Sequence, residues 1–178
     1  MDLALPLLFV RLIVGLAIAA HGAQKLFGWF GGYGLAGTGG FLEQLGFKPG
    51  KLFAFAAGVA EGAGGLLIAL GLFGPVGAAL VMSAMVVAIV TVHLRNGFFA
   101  SSNGVELPLL YLLVAAIYGF TSYGALSLDG ALGLGAVWTP ALVWLFIGLG
   151  IVGGLLNLAV RRKAPAPPAA PEGLDPAV

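Results

Sequence analysis

Apolar positions run along this chain in long blocks, not in alternation with polar ones. A helix needs about 20 mostly apolar residues to cross a bilayer core, and five blocks reach roughly that length: about Leu3 to Phe27, Leu52 to Phe73, Val76 to Leu94, Leu107 to Tyr123 and Ala136 to Val160. No run of alternating residues bounded by polar turns interrupts them, which argues against a transmembrane barrel. Only Gly74 and Pro75 separate the second and third blocks, predicting a tight helix hairpin. The stretch Gly28 to Gly40, glycine-rich with Trp29, Phe30 and Tyr33 interleaved, predicts a loop at the membrane interface, where aromatics suit the headgroup level.

Composition sharpens this. The 178 residues are 60% hydrophobic and 8% charged, against about a quarter charged in a soluble domain, so the expected class is a polytopic helical membrane protein. Residues 1–160 form one transmembrane domain, and 161–178 form a basic stop followed by a disordered Pro/Ala-rich cytoplasmic tail from Ala164. With no cysteine, disulfides, thiolate nucleophiles and thiolate-bound metals are excluded. The net charge of +1 implies no nucleic-acid partner. Ala17-Ile18-Ala19 loosely imitates a signal cleavage site, but Asp2 leads the run and Arg11 interrupts it, the wrong charge order for a signal.

With five spans, Lys25, Lys48, Lys51, Arg95, Arg161, Arg162 and Lys163 fall on one side, while the other carries Asp2 and Asp129. The positive-inside rule then places the N-terminus outside and the C-terminus in the cytoplasm. Gly58, Gly62 and Gly65 form a narrow stripe on the second span, and Gly150 and Gly154 repeat small-residue spacing on the fifth. Both are packing signals, and the second also suits self-association into a homo-oligomer.

Ionisable groups inside spans are costly and call for a partner or a purpose. Here they are Arg11, His21, Lys25, Glu61, His93 and Glu106. Arg11, His21 and Lys25 share a sector of about 80° on the first span at about 100° per residue. Arg11 lies ten residues from His21, and Glu61 ten from Lys51. With His21 and Lys51 taken as level, Arg11 and Glu61 are expected to meet near the midplane. His21, Lys25, His93 and Glu106 gather at the cytoplasmic end. One reading is an internal lock that sets helix register. The other is a cavity with Arg and His donors and a carboxylate proton acceptor, suited to a quinone, whose carbonyls need hydrogen bonds and whose reduction needs protons. Two histidines are a minimal haem signal, and no i, i+3 or i, i+4 ligand pair supports a metal at His21, His93 and Glu106. Gly32, Gly34 and Gly37 spell a dinucleotide fingerprint, but they follow a membrane helix and lack the acidic partner.

Several motifs together resemble the DoxX family of small bacterial membrane proteins. They are Arg11 with His21-Gly22-Ala23-Gln24-Lys25-Leu26, the glycine loop, Ala60-Glu61-Gly62-Ala63-Gly64-Gly65, His93, Glu106, and Ser127-Leu128-Asp129. The resemblance spans about residues 5 to 130. It implies an all-α integral membrane protein, a four-helix transmembrane bundle of DoxX type to which this chain adds a fifth C-terminal transmembrane helix and a proline-rich tail. The family is related to the membrane subunit of thiosulfate:quinone oxidoreductase. The resemblance therefore implies quinone binding or support of a partner oxidoreductase, with Arg11, His21, Lys25, Glu61, His93 and Glu106 as candidates. In the leading expectation Arg11, His21 and His93 orient a quinone, and Glu61 or Glu106 carries protons. A non-enzymatic scaffold and a small proton-coupled transporter stay open beside it, although no inverted repeat is visible.

Overall fold

The computed structural model describes residues 3–121 and 124–162 and is all-helical over them. The expected tail, with Lys163, lies outside the described residues, as do Asp2 and the expected end of the fourth span at Tyr123. Among the described residues four helices are long and apolar enough to cross a membrane: α1 (Ala4–Phe27), α3 (Gly50–Leu70), the continuous run Pro75–Asn96 that begins as α4 (Pro75–Ala88), and α7 (Pro140–Ala159). The fourth expected span is shorter. Helix α5 (Glu106–Phe120) has 15 residues, about 22 Å at 1.5 Å per residue against a core of about 30 Å. It stops where Thr121 turns extended.

Each boundary has a local cause. Gly28 and Gly71 adopt left-handed backbone to end α1 and α3. The Thr139 side chain accepts from Leu142 N, and Pro140 opens α7, so the fifth span starts four residues later than its apolar block. The expected interfacial loop contains a helix, α2 (Gly34–Gln44). Its glycines lower helix propensity, but they allow close approach: a Cβ on Gly39 would sit 2.9 Å from Lys51 N, and one on Gly50 2.1 Å from Gly39 O.

Packing centres on two seams. Helices α1 and α3 run antiparallel in backbone contact, Gly15 against Gly65 and Ala69, and Gly22 against Gly58 and Gly62. Helices α4 and α7 run parallel, Gly150 against Ala79 and Gly154 against Ser83 and Val86. Gly150 and Gly154 thus serve contacts within this chain. The core between the seams holds Ile18, Ile68, Val81, Met82, Ala115 and Tyr118.

The turn between α3 and α4 is held from outside itself. Asp129, in the short helix α6 (Leu128–Ala131), is 4% exposed. Its carboxylate accepts from Phe73 N at 2.8 Å, Gly74 N at 2.7 Å and Trp138 Nε1 at 2.9 Å. A buried donor left unpaired costs about 1–3 kcal/mol. Asp129→Ala is therefore expected to destabilise the protein by about 3 kcal/mol or more in thermal unfolding, and Asp129→Asn, which keeps one acceptor oxygen, by less.

Candidate functional site

The α1–α3 register decides which intramembrane charges meet. From Gly15 to Gly22 the chain advances seven residues along α1, and the facing residues retreat seven along α3, from Gly65 to Gly58. By that register Glu61 stands level with His21 and Gly22, and Arg11 level with Gly71, about 15 Å away along the axis. The expected meeting of Arg11 and Glu61 is therefore corrected. Lys51 falls level with the turn beyond the end of α1, so it and His21 never shared a depth.

Arg11, 3% exposed, reaches from α1 to the carbonyl of Leu126 beside α6, close to Tyr118, whose hydroxyl donates to Leu7 O at 2.9 Å. It belongs with Asp129 at the opposite end of the bundle from Lys25. The partner of Glu61 is Lys25, in a direct ion pair through Nζ and Oε2. The Glu61 side chain is 4% exposed and that of Lys25 29%. Buried carboxylates need such compensation, and the lysine stem lets its ammonium stay near the polar end.

This pair lines a cleft of about 260 Å³ bounded by α2, α3, the α4 run and α7. Its walls are mostly small or aromatic: Ala57 and Ala60 on α3, Ala84 and Ala88 on α4, Phe41 on α2, and Phe47 in the α2–α3 turn. His93 also lines it, at the end of a single π-helical turn, Ile89–His93. Such turns widen a helix locally and recur at functional sites. Within it Thr91 Oγ1 donates to Val87 O at 2.8 Å. His93 Nδ1 donates to the Asn103 carbonyl at 2.8 Å, and since a carbonyl can only accept, Nε2 is the ring atom left to exchange a proton.

The other expected residues are placed elsewhere. His21 Nδ1 donates to Gln24 Oε1 at 3.0 Å, and its ring meets Tyr111 edge-on at 5.7 Å. Gln24 Nε2 in turn donates to Phe30 O at 3.1 Å, so His21 anchors the aromatic turn. Glu106 accepts from Ala100 N at 2.8 Å and ties down the loop between the α4 run and α5. The structure thus joins Lys25, Glu61 and His93 at one cleft and separates from it Arg11, His21 and Glu106. Sequence reasoning missed Thr38, Ser83, Thr91 and Asn157, which also line it. Uncharged and common in membrane helices, they carry no signal without the fold.

The basic residues collect at the cleft's end of the bundle. Arg161 Nε donates to Leu45 O, and Arg162 N to Gly46 O at 2.9 Å, fastening the end of α7 onto the α2–α3 turn.

Compared with known proteins, residues 6–94 match the family model DoxX. A protein of Haemophilus influenzae, described as an uncharacterized protein, is 33% identical over 126 residues, covering 69% of this chain and 87% of the relative. No solved structure matches.

Proposed function

The chain belongs to the DoxX family of multi-pass membrane proteins, and from that premise we propose that it is a quinone-linked redox component of the bacterial cytoplasmic membrane. The observation that carries this reading is an apolar cleft with one charged wall: alanine and phenylalanine surfaces around a nearly buried carboxylate and its lysine. That donor set fits the headgroup of a quinone. A flat ring is accommodated by the small side chains of α3 and α4, and a ring carbonyl meets the remaining protons of the Lys25 ammonium. At about 260 Å³ the cleft suits the headgroup, with an isoprenoid tail left in the lipid.

When bound, a quinone supplies a couple that takes two electrons and two protons to become the quinol. Lys25 orients one carbonyl and balances the charge of Glu61. Glu61 and His93 Nε2 are the proton-exchanging groups at the cleft, and the apolar walls exclude water. The electrons come from a soluble or membrane oxidoreductase partner, because a chain without cysteine has no thiol couple of its own. We assign the basic end, with the cleft, to the cytoplasm on the positive-inside rule.

The test is quinone titration of protein reconstituted in nanodiscs. Saturable binding of ubiquinone or menaquinone is expected, weakened about tenfold by Lys25→Met, the loss of one charge-assisted hydrogen bond. An absence of saturable binding to either quinone in the wild type would overturn the reading and leave the ion pair as a lock between α1 and α3.

A further inference from the structure

The cleft has a second polar wall, built from a different helix seam than the ion pair. Lys25 and Glu61 reach it from the α1–α3 seam, while Ser83 and Asn157 reach it from the α4–α7 seam. The latter two converge on one point of α7. Asn157 Nδ2 donates to Gly153 O at 2.9 Å, and Ser83 Oγ stands 3.3 Å from the position a Cβ on Gly153 would take. Gly153 therefore lets the two helices approach closely enough for the serine hydroxyl and the asparagine amide to share a surface of the cleft. Among the described residues Asn157 Oδ1 and Ser83 Oγ make no hydrogen bond, so both keep capacity for a ligand. The alanines of α3 and α4 line the same cleft.

A ligand that satisfies both walls needs polar atoms at opposite edges of a flat apolar ring. Resting on the quinone reading above, we infer that Ser83 and Asn157 hold the carbonyl opposite the one held by Lys25, so the cleft selects para-quinones over rings with a single carbonyl. Asn157 lies on α7, beyond residues 6–94 that match the family model. The fifth helix thus supplies part of the recognition and is not only a packing addition. A ring with one carbonyl turns it to Lys25, because a hydrogen bond from an ammonium is stronger than one from a neutral hydroxyl or amide.

Menadione and methyltetralone, which share a fused ring but carry two carbonyls and one, separate the outcomes in nanodisc titrations. Asn157→Leu is expected to weaken menadione binding about tenfold, leave methyltetralone binding unchanged, and leave the thermal midpoint within a few degrees of wild type. Ser83→Ala should act in the same direction and provides the test if Asn157→Leu does not fold. Equal affinity of variant and wild type for menadione would overturn the inference, as would equal weakening of both ligands. Wild-type protein that binds quinones while Asn157 and Ser83 prove indifferent would overturn this inference alone. Wild-type protein that binds neither compound, nor ubiquinone or menaquinone, would overturn the quinone reading and this inference with it.

Discussion

Gly22→Ala should cost the protein most of its folded population, although it adds a single methyl group. The new Cβ would lie 2.3 Å from Gly62 N, 2.5 Å from Gly62 Cα and 2.6 Å from Gly58 O. These are backbone atoms of α3, so no side-chain rotamer can relieve the overlap and α1 must move away as a body. Overpacking that side chains can absorb costs about 1–3 kcal/mol, and more when backbone has to shift. A loss above about 3 kcal/mol is expected, seen as a large fall in thermal midpoint and in monodisperse yield from detergent. Gly62→Ala is the control across the same contact. Its Cβ would meet its nearest neighbour, Gly22 Cα, at 3.8 Å, ordinary van der Waals distance. With helix propensity improved by about 1 kcal/mol, that variant should be as stable as wild type or slightly more so. Equal behaviour of the two would mean that α1 and α3 are not in this register.

The second large effect concerns the ion pair, and it is asymmetric. Lys25→Met strands the Glu61 carboxylate, whose side chain is 4% exposed, without its cation. Removing one partner of a fully buried pair costs about 3–5 kcal/mol, and the partial exposure of Lys25 lowers the expectation here to about 2–3 kcal/mol. Glu61→Gln leaves a lysine that is 29% exposed and can carry its ammonium toward the polar end of the bundle, so a cost of about 1 kcal/mol or less is expected. The double variant should recover most of the stability lost in Lys25→Met, giving a coupling of about 2–3 kcal/mol in a double-mutant cycle of chemical unfolding. Equal losses with no coupling would dissolve the pair. The cycle also separates stability from ligand binding. A pair that is only a lock moves unfolding and leaves quinone affinity alone, whereas the proposed site loses affinity in Lys25→Met even at temperatures where that variant is fully folded.

The difference between the expected and the observed charge pairing has a plain origin. Spacing within one helix is reliable, because 1.5 Å per residue is fixed by backbone hydrogen bonding. Arg11 and His21 are indeed ten residues apart on one helix, as are Lys51 and Glu61. The offset between two helices obeys no such rule. It is set here by which glycines touch, Gly22 on Gly58 and Gly62, and by α2 and its flanking turns, which carry the chain back to α3 beyond the end of α1. An offset of ten residues moved Glu61 from Arg11 to the neighbourhood of Lys25. The glycine-rich stretch that became α2 misled for a related reason. Glycine predicts loops through its backbone freedom, yet at Gly39 it meets the separate demand for close contact with α3.

The sequence by itself determined that the chain is an all-helical membrane protein with its DoxX motifs on the first helices. It also determined that α1 and α3 carry small-residue faces and that the costly charges are few enough to name. Those properties are additive along the chain: hydrophobic run length, helical spacing and composition need no knowledge of neighbours. Only the tertiary structure decided that Lys25 and not Arg11 neutralises Glu61, that Arg11 reaches instead to the Leu126 carbonyl, and that α7 brings Asn157 to the same cleft as the ion pair. Those outcomes depend on the axial offset and rotation of whole helices. Packing of backbone against backbone sets both, through contacts between residues far apart in the chain.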